Sequence, residues 1–135
     1  MASVVFYFQV HQPFRLRKYS VFDEEPLYFA DDENKKILLK VADKCYRPAT
    51  TLIRDLVKMH EGRFKVSYAI TGVALEQLQA WAPDVIDLFK ELADTGCCEF
   101  IGETFYHSLS FLYSREEFRR QVDEHEAIVQ DLFGQ

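Results

Sequence analysis

Three short apolar segments alternate with longer segments of helical periodicity in this chain, and that order constrains the fold more than any other feature. The short segments are rich in aromatic and β-branched residues, which predicts strands at residues 4–10, 64–70 and 97–101. Apolar residues then recur at helical spacing over residues 37–60, 75–95 and 115–133. Strands that alternate with helices form parallel sheets with right-handed crossovers. The sequence therefore predicts an α/β fold with a parallel sheet, whose first strand is apolar enough to be buried on both faces.

Proline, glycine and serine mark the ends of the predicted helices. Pro48 interrupts the first helical segment, because proline lacks a backbone N–H and its ring clashes with the preceding turn. Pro83 suits the first turn of a helix, and Gly96 suits the end of the same helix. Ser114 precedes Glu117 by three residues, which is a capping-box pattern and predicts the start of the last helix.

The length of the chain limits how much of such a fold it can hold. A closed barrel of eight β/α units takes at least ~200 residues, and this chain has 135. A free-standing sheet of three parallel strands would leave two unpaired edges and one poorly covered face. We therefore expect residues 1–135 to be a portion of a larger parallel α/β domain, and we expect the isolated portion to self-associate.

Charge, apolar content and cysteine number limit which macromolecules the protein can bind and indicate the cellular compartment. The formal net charge is −6, which disfavours nucleic acid and anionic membranes as partners. No apolar run approaches the ~18–20 residues that span a bilayer. An odd number of cysteines argues against a disulfide framework, so we expect a cytoplasmic protein with buried free thiols at Cys45, Cys97 and Cys98.

Polar and ionisable side chains cluster where the predicted strands end. His11 and Gln12 follow the first strand, Thr71 follows the second, and residues 99–107 run through the end of the third. Ligand sites of parallel α/β folds lie beyond the carboxyl ends of the strands. These segments therefore indicate a binding site at one end of the sheet.

Two glutamates in the third of these segments raise the question of a catalytic pair. Glu99 interrupts an apolar strand, where an ionised carboxylate is costly unless it is paired or faces a polar cavity. Glu103 and His107 belong to a polar and aromatic run that suits a sugar ligand. On one continuous strand the two glutamates would lie roughly 13 Å apart. Retaining glycosidases need ~5–5.5 Å and inverting ones ~6.5–9.5 Å, so an intact strand excludes this pair.

A metal site is a further hypothesis, and it would point to a different enzyme class. Residues 107–111 (HSLSF) resemble the His-Ser/Thr-x-x-His motif of metal-dependent polysaccharide deacetylases, but Phe111 stands in place of the second histidine. No Asp-Asp pair follows the first strand either, and we expect no metal and no other cofactor. A deacetylase relative and a non-catalytic carbohydrate-binding module remain alternatives to a glycosidase.

Other histidines and aromatic residues have simpler interpretations. His125 lies on the apolar stripe of the last helix, which predicts a core or interface position, and His60 suits a helix end. The long segment after the first strand is acidic and aromatic, and its rings could cover the site from one side: Tyr19, Phe22, Tyr28 and Phe29.

Three motifs occur in order along the chain. Residues 8–13 (FQVHQP) hold His-Gln-Pro at the end of the first strand, and residues 96–100 (GCCEF) hold Gly-x-x-Glu on the third. Residues 103–109 (ETFYHSL) follow, with Phe133-Gly134 near the end. Taken together these segments resemble glycoside hydrolase family 57, which contains α-amylase-like and glucanotransferase-like enzymes. Cys98 departs from the hydrophobic residue expected before the glutamate of the second motif.

The resemblance implies more than the residues alone. It implies an incomplete (β/α)7 barrel whose first three β/α units lie in residues 1–135, and a retaining enzyme that hydrolyses or transfers α-glucan. The family's glutamate nucleophile lies on the fourth strand and its aspartate acid/base on the seventh, so both are expected beyond Gln135 and no catalytic residue is expected within this chain. His11 and Glu99 carry over as substrate-binding residues, followed by Gln12, Glu103 and His107.

Overall fold

The sheet of this protein consists of three parallel strands in the order β1-β2-β3. The computed structural model describes residues 4–135. The strands are β1 (Tyr7–Val10), β2 (Val66–Ile70) and β3 (Cys98–Phe100). Val10 lies opposite Ile70, and Ser67 lies opposite Glu99. The predicted α/β class with a parallel sheet is confirmed.

Within residues 4–135, five α-helices connect and cover the strands. They are α1 (Asp31–Val41), α2 (Arg47–Met59), α3 (Gly72–Trp81), α4 (Pro83–Asp94) and α5 (Arg115–Phe133). The predicted boundary signals are confirmed: Pro83 lies in the first turn of α4, and the hydroxyl of Ser114 accepts a hydrogen bond from the Glu117 N–H at 3.1 Å. None of the helices within residues 4–135 is long and apolar enough to cross a membrane.

The two faces of the sheet differ in character. Side chains alternate between faces along a strand, and residues in register share a face. Tyr68 and Phe100 face the helices, where they contact Phe89 of α4, and Phe133 of α5 stacks on Phe100 with ring centroids 4.1 Å apart. The opposite face carries polar side chains, among them Ser67 and the exposed Glu99. The helices thus cover one face, and the polar face is free to line a site.

The first strand is less buried than its sequence predicts. Tyr7 is 50% exposed and Phe8 is 38% exposed, so the prediction of burial on both faces is wrong. β1 pairs only with β2 within the part of the chain that the structure describes, so its outer edge lies open. The opposite edge is partly covered, because the side-chain amide of Gln135 bonds the Phe100 N–H and the Cys98 carbonyl of β3.

A turn of π-helix separates the first two helices. It spans Ala42–Tyr46 and ends two residues before Pro48, which lies in the first turn of α2. A wide turn at this point accommodates a proline that cannot continue the regular hydrogen-bond ladder. The extra residue also shifts the phase of the apolar stripe, so Tyr46 is buried and Cys45 is exposed. The prediction of a buried thiol is therefore wrong for Cys45, whereas Cys97 and Cys98 are buried as predicted.

The histidine on the last helix lies within hydrogen-bond distance of the last carbonyl group of β2. His125 is 1% exposed, and its Nε2 lies 2.8 Å from the Ile70 carbonyl oxygen. The last hydrogen bond from the β3 side to β2 runs from the Ile101 N–H to the Tyr68 carbonyl. The Ile70 carbonyl, two residues further along β2, therefore needs another donor, which His125 supplies. The predicted core position of His125 is confirmed, and His60 lies at the end of α2, as predicted.

Candidate functional site

Five side chains meet at the carboxyl ends of the strands. They come from the end of β1, the residue after β2 and the loop after β3, and we call them the strand-end cluster: Gln9, His11, Thr71, Glu103 and His107. Three of the five sequence-predicted site residues, His11, Glu103 and His107, lie in this cluster. The strand-end rule of parallel α/β folds thus predicts where they meet.

Glu103 joins two elements of the cluster. One carboxylate oxygen accepts a hydrogen bond from the Gln9 amide at 2.9 Å, and the other lies 2.8 Å from Nδ1 of His107. The Glu103 side chain is 13% exposed, whereas that of His107 is 49% exposed. Because a carboxylate oxygen only accepts, Nδ1 of His107 donates, and in the neutral ring Nε2 is then a hydrogen-bond acceptor.

His11 packs against His107 and forms a hydrogen bond with Thr71. The two imidazole centroids are 4.8 Å apart, and Nδ1 of His11 lies 2.9 Å from the Thr71 hydroxyl oxygen. That oxygen already accepts the N–H of Ala74 at the start of α3, so its hydrogen is available to His11. This arrangement favours the neutral His11 ring with its proton on Nε2, where it is a donor.

The pKa of His11 is lowered from its ordinary value. Burial is the main cause, because it disfavours the charged imidazolium, and the neighbouring His107 adds to the effect. The Glu103 carboxylate opposes the shift. His11 therefore favours its neutral form at pH 7.

Gln12 lies beside the cluster and faces another way. Its side-chain amide donates to the Tyr46 hydroxyl at 3.3 Å. Its backbone carbonyl accepts a hydrogen bond from the side-chain amide of Gln77 at 2.6 Å. Gln77 is 1% exposed and lies on α3. These contacts fix the backbone just after His11.

Glu99 stands apart from Glu103. It lies on the polar face of β3 and accepts a hydrogen bond from the hydroxyl of Ser67 at 3.3 Å. Glu103 is bound to Gln9 and His107 instead. The two carboxylates thus occupy separate hydrogen-bond networks, and Glu99 presents an acceptor to the space in front of the sheet.

The loop that carries Glu103 and His107 is anchored through Phe105. The Phe105 ring is buried against Gly72, where a Cβ would lie 2.2 Å from the nearest ring atom. The Phe105 carbonyl accepts the Val73 N–H, and its N–H donates to the Gln121 carbonyl of α5. The loop is therefore fixed to both neighbouring helices.

The aromatic segment after β1 forms an irregular hairpin beside the cluster. Leu16 and Phe29 form an antiparallel bridge, and Phe29 contacts the Phe14 ring. The rings of Tyr19 and Tyr28 stack on each other, and Phe22 is 90% exposed. The structure places these rings on the hairpin, and covering of the site by this segment stays a prediction.

Metal-binding side chains are not grouped in this site. Within residues 4–135, no three His, Cys, Asp or Glu side chains are placed so that they could hold one metal ion. The Glu103 carboxylate is bound to Gln9 and to the histidine nearest it. The cluster can offer hydrogen bonds to a neutral ligand.

Sequence reasoning missed the partners of Glu103 and Glu99, which are Gln9 and Ser67. Gln9 lies two residues before His11, so strand alternation places both on one side of the sheet and gives a usable signal. Ser67 contacts Glu99 because the two residues are in register. The register depends on how β2 and β3 align, and the sequence of either strand alone does not specify it.

Comparison with known proteins agrees with the motifs. The family described as "Glycosyl hydrolase family 57" matches residues 5–135. A Methanocaldococcus jannaschii protein described as "Putative alpha-amylase" is 41% identical over 135 residues, which cover 97% of this chain and 28% of the relative. A Pyrococcus abyssi "Alpha-amylase" is 28% identical over 86 residues, which cover 64% of this chain and 12% of the relative.

A solved structure is similar in fold. The crystal structure of 4-alpha-glucanotransferase from Thermococcus litoralis superposes with a TM-score of 0.70 at 19% identity, over 95% of this chain and 17% of that one. The chain thus spans less than a third of the length of each of these proteins. The match over residues 5–135 confirms the resemblance seen in the motifs, and the chain belongs to glycosyl hydrolase family 57.

Proposed function

We propose that residues 1–135 are the N-terminal portion of a family 57 catalytic domain that hydrolyses or transfers α-glucan with retention of configuration. The names of the relatives support the substrate class, since they are an alpha-amylase and a 4-alpha-glucanotransferase. The first three β/α units of a (β/α)7 barrel lie in this portion. The nucleophile and the acid/base lie beyond Gln135, and the portion alone is inactive.

In this proposal the strand-end cluster binds sugar hydroxyls. The single observation that carries it is that two adjacent imidazole rings both have a partner at Nδ1, Thr71 for His11 and Glu103 for His107. In this arrangement Nε2 of His11 is a donor, and Nε2 of the neutral His107 ring is an acceptor. A hydroxyl group both donates and accepts, so it can satisfy both rings.

The remaining predicted residues have distinct roles in this proposal. Glu99 accepts a hydrogen bond from a sugar hydroxyl in front of the sheet, next to Ser67. Glu103 orients His107 and contributes its free lone pairs to the ligand. Gln12 supports the backbone after His11 through Tyr46 and Gln77.

The test is binding of a maltooligosaccharide to the full-length protein, measured by calorimetry. His11→Ala and Glu99→Gln are each expected to raise the dissociation constant about tenfold, the effect of losing a hydrogen bond worth about 1.4 kcal/mol. His60→Ala at the end of α2 and Glu126→Gln on the exposed side of α5 are matched controls and leave the constant unchanged. Equal affinities for wild type and both site variants would contradict the proposed site.

A further inference from the structure

The loop after β3 holds its histidine in an unusual backbone conformation. His107 has φ of +55°, in the left-handed region that residues other than glycine seldom adopt. In that conformation the exposed ring lies between Glu103 and His11. Such a conformation persists only where surrounding contacts enforce it.

The contacts that enforce it come from one residue, Thr104. The Thr104 hydroxyl accepts the Ser108 N–H at 2.8 Å and lies 3.2 Å from the Ser108 carbonyl oxygen, to which it donates. The Thr104 carbonyl also accepts the His107 N–H at 2.9 Å. Thr104 thus closes a five-residue ring that contains His107.

The far side of this ring is tied to α5. The Ser108 hydroxyl donates to the side-chain oxygen of Gln121 at 2.6 Å, and Gln121 is 4% exposed. The ring is therefore held at a fixed place against the helix.

We propose that Thr104 is a positioning residue, whose hydroxyl holds His107 in its left-handed conformation and so fixes the His107 ring against His11 and Glu103. Thr104 acts through His107 and contacts no substrate. Its importance for binding rests on the proposed function, because it matters only where His107 meets a sugar. Its effect on the His107 ring does not depend on any ligand.

The variants separate the hydroxyl from the size of the side chain. Thr104→Val removes the hydroxyl at nearly constant volume, and Thr104→Ser retains it. Ser110→Ala is the control, because the Ser110 hydroxyl lies in the same segment, is buried and has no hydrogen-bond partner.

The first measurement is the NMR spectrum of the histidine rings, recorded without ligand. Thr104→Val is expected to shift the ring resonances of His107 and His11, while Thr104→Ser and Ser110→Ala leave them in place. If Thr104→Val gives the same ring resonances as Ser110→Ala, the positioning role is wrong. This result stands whether or not the protein binds α-glucan. Thr104→Ser also shows whether the loop tolerates substitution at this position.

The second measurement is maltooligosaccharide affinity in the full-length protein. Thr104→Val is expected to weaken binding about tenfold, as His107→Ala does, and the double variant is expected to be no weaker than His107→Ala alone. Independent, additive losses would show that Thr104 does not act through His107. Failure of the wild type to bind would contradict the proposed function alone, since the ring resonances still decide the role of Thr104.

Discussion

The Phe105 ring lies against Gly72 and helps to position the candidate site. A Cβ on Gly72 would lie 2.2 Å from the Phe105 ring, so the ring must move if alanine replaces the glycine. Phe105 lies between Glu103 and His107 in sequence, and its backbone is bonded to α3 and α5. A displaced ring therefore displaces both site residues.

Gly72→Ala is predicted to destabilise the protein by about 1–3 kcal/mol, the usual cost of overpacking a core. It should also weaken glucan binding, because the loop that carries the strand-end cluster moves. Gly102→Ala is the matched control, since a Cβ there meets no atom within 4 Å. Urea denaturation and calorimetry measure the two effects. A Gly72→Ala protein as stable as Gly102→Ala would show that the contact is unimportant.

The lowered pKa of His11 has consequences for stability. Its pKa lies below the ordinary value of 6.5 in the folded protein, so the unfolded chain takes up the proton first as the pH falls. The contribution of His11 to stability is therefore complete above pH 6.5 and is lost as the pH falls towards the folded pKa.

An NMR titration of the His11 ring is predicted to give a midpoint below 6.5. His107→Ala should raise that midpoint, because it removes a neighbour that disfavours the imidazolium. Glu103→Gln should lower it further, because the carboxylate favours the charged form. A wild-type midpoint at or above 6.5 would contradict the environment described for this ring.

At the scale of elements, sequence periodicity predicts most of the architecture. The strands, the helix break at Pro48, the helix that begins at Pro83 and the cap at Ser114 all follow from local chemistry that acts within a few residues. The start of α1 at Asp31 is harder to predict from the sequence, because the acidic residues of its first turn are also typical of a surface loop.

The cluster itself is only partly predictable. The strand-end rule predicts that His11, Glu103 and His107 lie close together. The contact between Gln12 and Tyr46 is not predictable in this way, because it depends on the π-helical turn that ends at Tyr46. That turn shifts the apolar stripe by one residue, and no periodicity argument reveals where such a shift falls.

The π-helical turn exposes Cys45, so we predict that the three cysteines differ in reactivity. Cys45 is exposed, while Cys97 and Cys98 are buried, and burial raises the pKa of the Cys98 thiol to about 12. A thiol-specific reagent at pH 8 is expected to modify one cysteine per native chain, and Cys45→Ser should abolish the reaction. Three reactive thiols in the native protein would show that the helices do not cover β3 as described.

At the scale of the whole molecule, we predict that the isolated 135-residue chain self-associates through the open side of β1. Val5 is 81% exposed next to this edge. Val5→Lys is predicted to shift the chain towards monomer in sedimentation experiments. Val21→Lys is the control, because Val21 is 92% exposed and lies in a turn of the hairpin, outside β1. A wild-type chain that stays monomeric at all concentrations would contradict this prediction.

We propose that this chain contributes binding groups to a family 57 enzyme whose catalytic carboxylates lie elsewhere in the polypeptide. The most direct test is an assay of the full-length protein and of residues 1–135 on maltooligosaccharides, with product lengths and anomeric configuration determined. We predict that the full-length protein redistributes or shortens the glucan with retention of configuration, and that residues 1–135 alone do not. Turnover by residues 1–135, or a full-length protein that leaves α-glucan intact, would contradict the account.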